Sequence, residues 1–312
     1  MRTEQQALKV SLVAVLILSA LGITFGVLSG SAAIIFDGVF SLLDAVMSIL
    51  AITLAGLIAR STTNRLSERT RRRFTMGFWH FEPLLLMVNA VLMISVAVYA
   101  MAEAVAALLS GGREIEFGPA VGYAAIVLVL TAAVGYAEHR ANRRLDSALV
   151  AMDVKGWLMA GGVTGALLVA FLIGMLLEGT GAEHLMPYVD PVVLLVVAGV
   201  LIPVPLPVLR RAVAEMALVT PPELRAEAED LAAEVAEAEG FVDHRVYVAQ
   251  VGRARQVEMI FHAAPGGPAR PLEHWDRIRA DVRRRLSDDD PNHWITVAFT
   301  TTPRERSAAV GT

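Results

Sequence analysis

Cysteine is absent from the 312 residues. That excludes disulfides, thiolate metal ligation and thiol redox catalysis together, leaving Asp, Glu, His and backbone oxygens as ligands for any metal. No A-x-A cleavage site follows the first apolar run, which is too long for a signal peptide and leads into others, so no cleavable leader is expected. A phosphate-cradling glycine loop and a nucleophile with a base at useful spacing are also missing, and the chain is not expected to be an enzyme. The net charge of -4 is small. Where the charges fall is more informative than their sum.

What is abundant is apolar surface. Hydrophobic residues make up 55% of the chain, above the roughly 45–50% of soluble domains. A membrane span needs roughly 20 mostly apolar residues. Six stretches qualify, at about 10–28, 32–59, 81–109, 117–137, 149–177 and 189–209. Arg60, Arg65, Arg69, Arg71, Arg72 and Arg73 follow the second, and Arg140, Arg143 and Arg144 follow the fourth. The opposite connections carry Glu114 and Glu116, then Glu178, Glu183 and Asp190. The positive-inside rule therefore predicts a multi-pass protein of the inner (plasma) membrane with both termini cytoplasmic. The arginine-rich connection is expected to meet anionic lipid, not nucleic acid.

In the sixth stretch, "LIPVPLPVLRR" alternates Pro203, Pro205 and Pro207. A helix cannot run through them, so a break is expected near residue 202. It is either a passive helix end or a place where freed carbonyls line a wet cavity. From about residue 221 the composition becomes that of a soluble domain. "PPELRAEAEDLAAEVAEAEG" predicts a helix stopped at Gly240, "HRVYVAQVG" and "RQVEMIFHA" alternate as strands do, "LEHWDRIRADVRRRL" is amphipathic, and "HWITVAFTT" reads as a last strand. The predicted organisation is an all-α six-helix transmembrane domain (1–215), a small cytoplasmic α+β domain in the order α-β-β-α-β (216–303) and a tail (304–312). About 80 residues make a modest core that docking onto a second copy would help.

Against this apolar background, "IIFDGVFSLLDAVMSILA" places Asp37 and Asp44 inside the second span, and Asp153 stands early in the fifth. Intramembrane carboxylates persist where they have a partner or face a wet path. Six spans, cytoplasmic termini, "FDGVFSLLDAVMS", "GFWHFEPLLLMVNA" and the Asp190-Pro191 pair resemble the cation diffusion facilitator (cation efflux) family of divalent-metal/proton antiporters. The resemblance implies a ferredoxin-like C-terminal domain, a homodimer joined through both domains, and no permanently bound cofactor. The cargo it implies is a divalent metal ion, with Mg, Mn, Fe, Co and Zn all open, exchanged for protons.

Placed on the family's pattern, Asp44 matches one of four usual ligands, while Phe40, Gly156 and Ala160 occupy the other three positions. Asp153 and Asp37 match acidic positions beside the motifs. Asp37 and Asp44 share a helix face about 10 Å apart and are too distant to chelate one ion. The expected arrangement is a descending ladder in which Asp44 and Asp153 share the cation and Asp37 lies nearer the outer mouth. Oxygen ligands without His or Cys favour Mg²⁺, Mn²⁺ or Fe²⁺ over tight zinc binding. The other reading of these acids is structural, as hydrogen-bond acceptors for Ser41, Ser48 or neighbouring helices.

Lys155 lies about 200° around the helix from Asp153 and either snorkels to the interface or serves as a tethered cation. In the second case the chain would be a non-transporting, membrane-anchored sensor or scaffold. Supporting roles are expected for Asn89, inside the third span, and for His80 and Glu82, which match family residues making cytoplasmic charge contacts. In the C-terminal domain, His244 falls near a regulatory-metal position, but Ile260, Thr300 and Thr302 occupy later ones. A pairing of His244 with His262 across adjacent strands remains a weak metal candidate, and the domain is expected to need little or no metal.

Overall fold

The computed structural model describes residues 4–62, 67–75, 77–145, 148–252, 254–287 and 293–301. Arg65, Thr302 and the 304–312 tail lie outside the described residues. The chain divides into two compact units, Met1–Ile52 with Val88–Leu209, and Thr53–Met87 with Arg210–Thr312. The end of the second long helix and the start of the third thus group with the C-terminal residues.

Among the described residues, six helices are long and apolar enough to cross a membrane. They are α1 (Glu4–Ser29), α2 (Ala32–Thr62), α4 (Phe81–Leu109), α5 (Phe117–Leu145), α6 (Ala148–Leu177) and α7 (Met186–Leu201), the last continued by α8 (Leu206–Met216). A short helix, α3 (Glu68–Arg73), lies in the arginine-rich connection and was not foreseen. As expected, the sixth helix stops at the prolines: α7 ends at Leu201, and Leu206 N–H donates to the Pro203 carbonyl as the chain re-enters a helix. The fourth span departs from expectation. Its helix runs to Leu145, beyond the apolar stretch that ends near 137.

In lipid, helices associate by close packing, and small residues permit it. Ala97, Ala100 and Ala104 of α4 pack with Ala120, Tyr123, Ala124 and Val127 of α5, Leu167 and Phe171 of α6, and Leu194 and Ala198 of α7. α1 and α2 touch at glycines: a Cβ on Gly22 would stand 2.8 Å from the Gly38 Cα and 2.9 Å from the Tyr123 hydroxyl. α5 and α6 meet the same way, since a Cβ on Gly135 would stand 3.2 Å from the Trp157 Cβ.

The second unit ends in α9 (Pro222–Glu239), β1 (Asp243–Val251), β2 (Ala254–His262), α10 (Leu272–Ser287) and β3 (His293–Thr300). This is the expected order. β1 and β2 form an antiparallel hairpin, and β3 lies parallel to β2 after the α10 crossover. Apolar positions of α9 and α10 close one core with the strands. At one end, Phe241, Phe261, Phe299 and Trp275 stack with centroids 4.7–6.3 Å apart, each such pair adding about 1 kcal/mol beyond its buried area.

Candidate cation pathway

The site is built from the packing of α1, α2, α5 and α6. At one level, Tyr123 of α5 donates to Asp37 Oδ2 at 3.0 Å, and Ser19 donates to the Gly38 carbonyl at 2.7 Å. Gly22 leaves room for the tyrosine hydroxyl to reach the carboxylate. Asp37 therefore has a neighbouring-helix donor, but not from Ser41 or Ser48.

Asp44 is about 10 Å further along α2, exposed on the surface of the single chain, and within electrostatic reach of Asp153 of α6. Two acids from spans distant in sequence are thus brought together, while Asp37 stands apart, bonded to Tyr123. Asp153 is half-buried, and its buried Oδ2 has no hydrogen-bond partner. The buried Oδ1 of Asn89 likewise lacks one. At the other three family positions, the Phe40 ring packs on Phe36 with centroids 5.7 Å apart, while a Cβ on Gly156 would meet nothing within 4 Å; Ala160 is exposed. The Lys155 side chain lies outside the described residues.

Asp153 faces a further acid, Glu138 of α5. Glu138 is fully buried, and neither of its carboxylate oxygens has a hydrogen-bond partner. Beside it is Ser11 of α1, whose hydroxyl accepts the Trp157 indole N–H at 2.9 Å. Sequence reasoning missed Glu138 because the apolar stretch stops at residue 137. A signal was present: Thr131, Gly135 and Glu138 recur at helical spacing, so a helix continued by one residue carries the acid onto the packed face. Among the described residues, no three His, Cys, Asp or Glu side chains gather into one metal cage.

At the loop ends of the bundle, Asp190 is fully buried and fully engaged. It accepts from the Ser31 hydroxyl and from the backbone N–H groups of Ala32 and Ala33, at 3.1 and 3.2 Å. It thereby caps α2 from another helix, placing a negative charge at the positive end of the helix dipole. Arg113 Nη1 lies 3.9 Å from it, and another nitrogen of the same side chain bonds Glu103.

In the second unit, the β1–β2 turn meets the start of α4. Gly252, at φ 58°, gives its N–H to Glu215 at 2.8 Å, and a Cβ there would stand 2.9 Å from Glu82 Oε2 and 3.1 Å from the Trp79 carbonyl. His80 packs against Phe81 in a tilted arrangement with centroids 4.5 Å apart. The cross-strand pairing of His244 with His262 does not form. The register sets His244 opposite Phe261 and His262 opposite Asp243, and a one-residue offset turns the two rings to opposite faces. His244 instead approaches Glu229 at 3.9 Å.

No curated protein matches the chain. The cation efflux transmembrane domain matches residues 8–217, well over half of it. With six membrane-capable helices among the described residues, the chain belongs to the cation efflux, or cation diffusion facilitator, family of transporters.

Proposed function

We propose that this chain exports a divalent metal cation in exchange for protons, as a homodimer in the inner membrane with both termini cytoplasmic, and that Asp44 and Asp153 carry the ion. The observation supporting this most directly is the approach of those two carboxylates from α2 and α6 within a helical bundle otherwise suited to lipid. In a low-dielectric setting, two neighbouring negative charges need compensation, and either a cation or protons supply it. A proton arriving from one side displaces the metal; its departure on the other restores the site. Oxygen donors alone favour Mg²⁺, Mn²⁺ or Fe²⁺. Asp37, held by Tyr123, has a positioning role nearer the outer mouth.

The test is metal uptake into proteoliposomes under an imposed proton gradient, across Mg²⁺, Mn²⁺, Fe²⁺, Co²⁺, Zn²⁺ and Cd²⁺. Gradient-dependent uptake of one ion, lost in Asp44→Ala, is expected. The packed Phe40 ring and the open space at Gly156 favour a second reading, a membrane-anchored sensor or scaffold. Folded, dimeric protein that moves none of these ions would establish that reading instead.

A further inference from the structure

We propose that Glu138 is a further cation ligand, forming with Asp153 a two-carboxylate station next to the Asp153–Asp44 pair, so that Asp153 is shared by two successive stations. The inference rests on the reading of Asp44 and Asp153 as transport residues. It adds a ligand from the fourth span, which carries none of the four positions of the family pattern.

Burial without a partner is the first argument. Glu138 has no exposed surface, and both carboxylate oxygens are unpartnered. An acid at such a position persists only where something compensates it. Its neighbours do not. Asp153 is another acid, with its own buried oxygen unpartnered, and the Ser11 hydroxyl, which accepts from Trp157, offers a dipole but no charge. Among the described cationic side chains, Lys9 and Arg140 are exposed, and Arg113 is committed to Glu103 and Asp190. No described side chain is thus placed to supply the compensating charge, and a cation or a proton from the pathway supplies it.

The second argument is the mounting. Gly135, one turn before Glu138, packs against Trp157, and Trp157 reaches across to Ser11. Three helices thus hold the acid in place. A pair of carboxylates with a hydroxyl alongside is an oxygen set suited to a hard divalent cation. The third argument is the lack of a three-residue cage among the described residues. Pairs that share Asp153 let an ion move from one station to the next while keeping two carboxylates, which a single deep cage would not.

The experiment uses purified full-length protein and Mn²⁺, whose binding is read by electron paramagnetic resonance. Glu138→Gln is compared with wild type, Asp44→Asn and Asp153→Asn, with elution volume and unfolding midpoint as controls for folding. Glu138→Gln is expected to weaken Mn²⁺ binding about tenfold or more, with partial recovery in Glu138→Asp. Wild-type Mn²⁺ affinity in folded Glu138→Gln, with weakened binding in Asp44→Asn and Asp153→Asn, would remove Glu138 from the path and leave the transport reading standing. Wild-type affinity in all three variants, together with no gradient-driven uptake by the wild type, would overturn both. Should Glu138→Gln fail to fold, carbodiimide labelling of wild-type Glu138, read by mass spectrometry, decides: protection by Mn²⁺ supports the assignment, and equal labelling with and without it refutes the assignment.

Discussion

Asp190 and Glu138 are both acids with no exposed surface, yet their surroundings differ completely. Asp190 receives a hydroxyl and two backbone donors with an arginine close by, whereas neither oxygen of Glu138 has a partner. The first arrangement offsets its own desolvation and locks one helix end to another. The second leaves a demand that the described protein does not meet. A satisfied buried acid is therefore expected to govern stability, and an unsatisfied one to govern what enters from outside.

Replacing Asp190 with Ala should give the largest stability loss, about 3 kcal/mol, because it strands the Ser31 hydroxyl and two backbone N–H groups and leaves Arg113 with Glu103 alone. The unfolding midpoint should fall while Mn²⁺ affinity in the surviving folded protein is unchanged; a loss of affinity at an unchanged midpoint would break the comparison. Gly22→Ala drives a methyl into the Gly38 Cα and the Tyr123 hydroxyl, and should cost about 2 kcal/mol by overpacking. Its midpoint, compared with that of Gly162→Ala, where a Cβ meets nothing, isolates the α1–α2 contact.

Gly156→His works from the opposite direction, placing an imidazole in open space. Zn²⁺ binding should tighten about tenfold relative to Mn²⁺, since imidazole suits zinc better than carboxylate alone does; an unchanged preference would show that position 156 does not face the pathway. Tyr123→Phe should have the smallest effect, about 1 kcal/mol for one lost hydrogen bond, with transport slowed but not abolished. Abolished uptake would move Asp37 from positioning into direct ion handling.

Much of the fold was legible because its signals are local. The six apolar runs, the proline break after Leu201, the glycine stop at Gly240 and the alternating strands depend on near neighbours in sequence. The site was only partly legible. Asp44 and Asp153 stand out as charges in apolar runs, and the structure brings them close. Glu138 did not stand out, because it follows the last residue of its apolar run and is surrounded in sequence by His139 and Arg140. Its burial comes from α1 and α6, which a reading of α5 alone does not supply. Similarly, either histidine of the C-terminal hairpin reads as a metal candidate until the register sets them one step apart.

The sequence by itself determined that this is a multi-span protein with a small α+β domain, that any metal would be bound without thiolate, and that a few acids sit where apolar residues are expected. These follow from composition and periodicity, which act over a few residues. Only the tertiary structure decided which acids are satisfied and which are not. Asp190 has donors brought from α2, Asp37 has one from α5, and Glu138 has none. Compensation of a buried charge depends on the atoms within hydrogen-bonding distance, and in this bundle those atoms come from helices far apart along the chain.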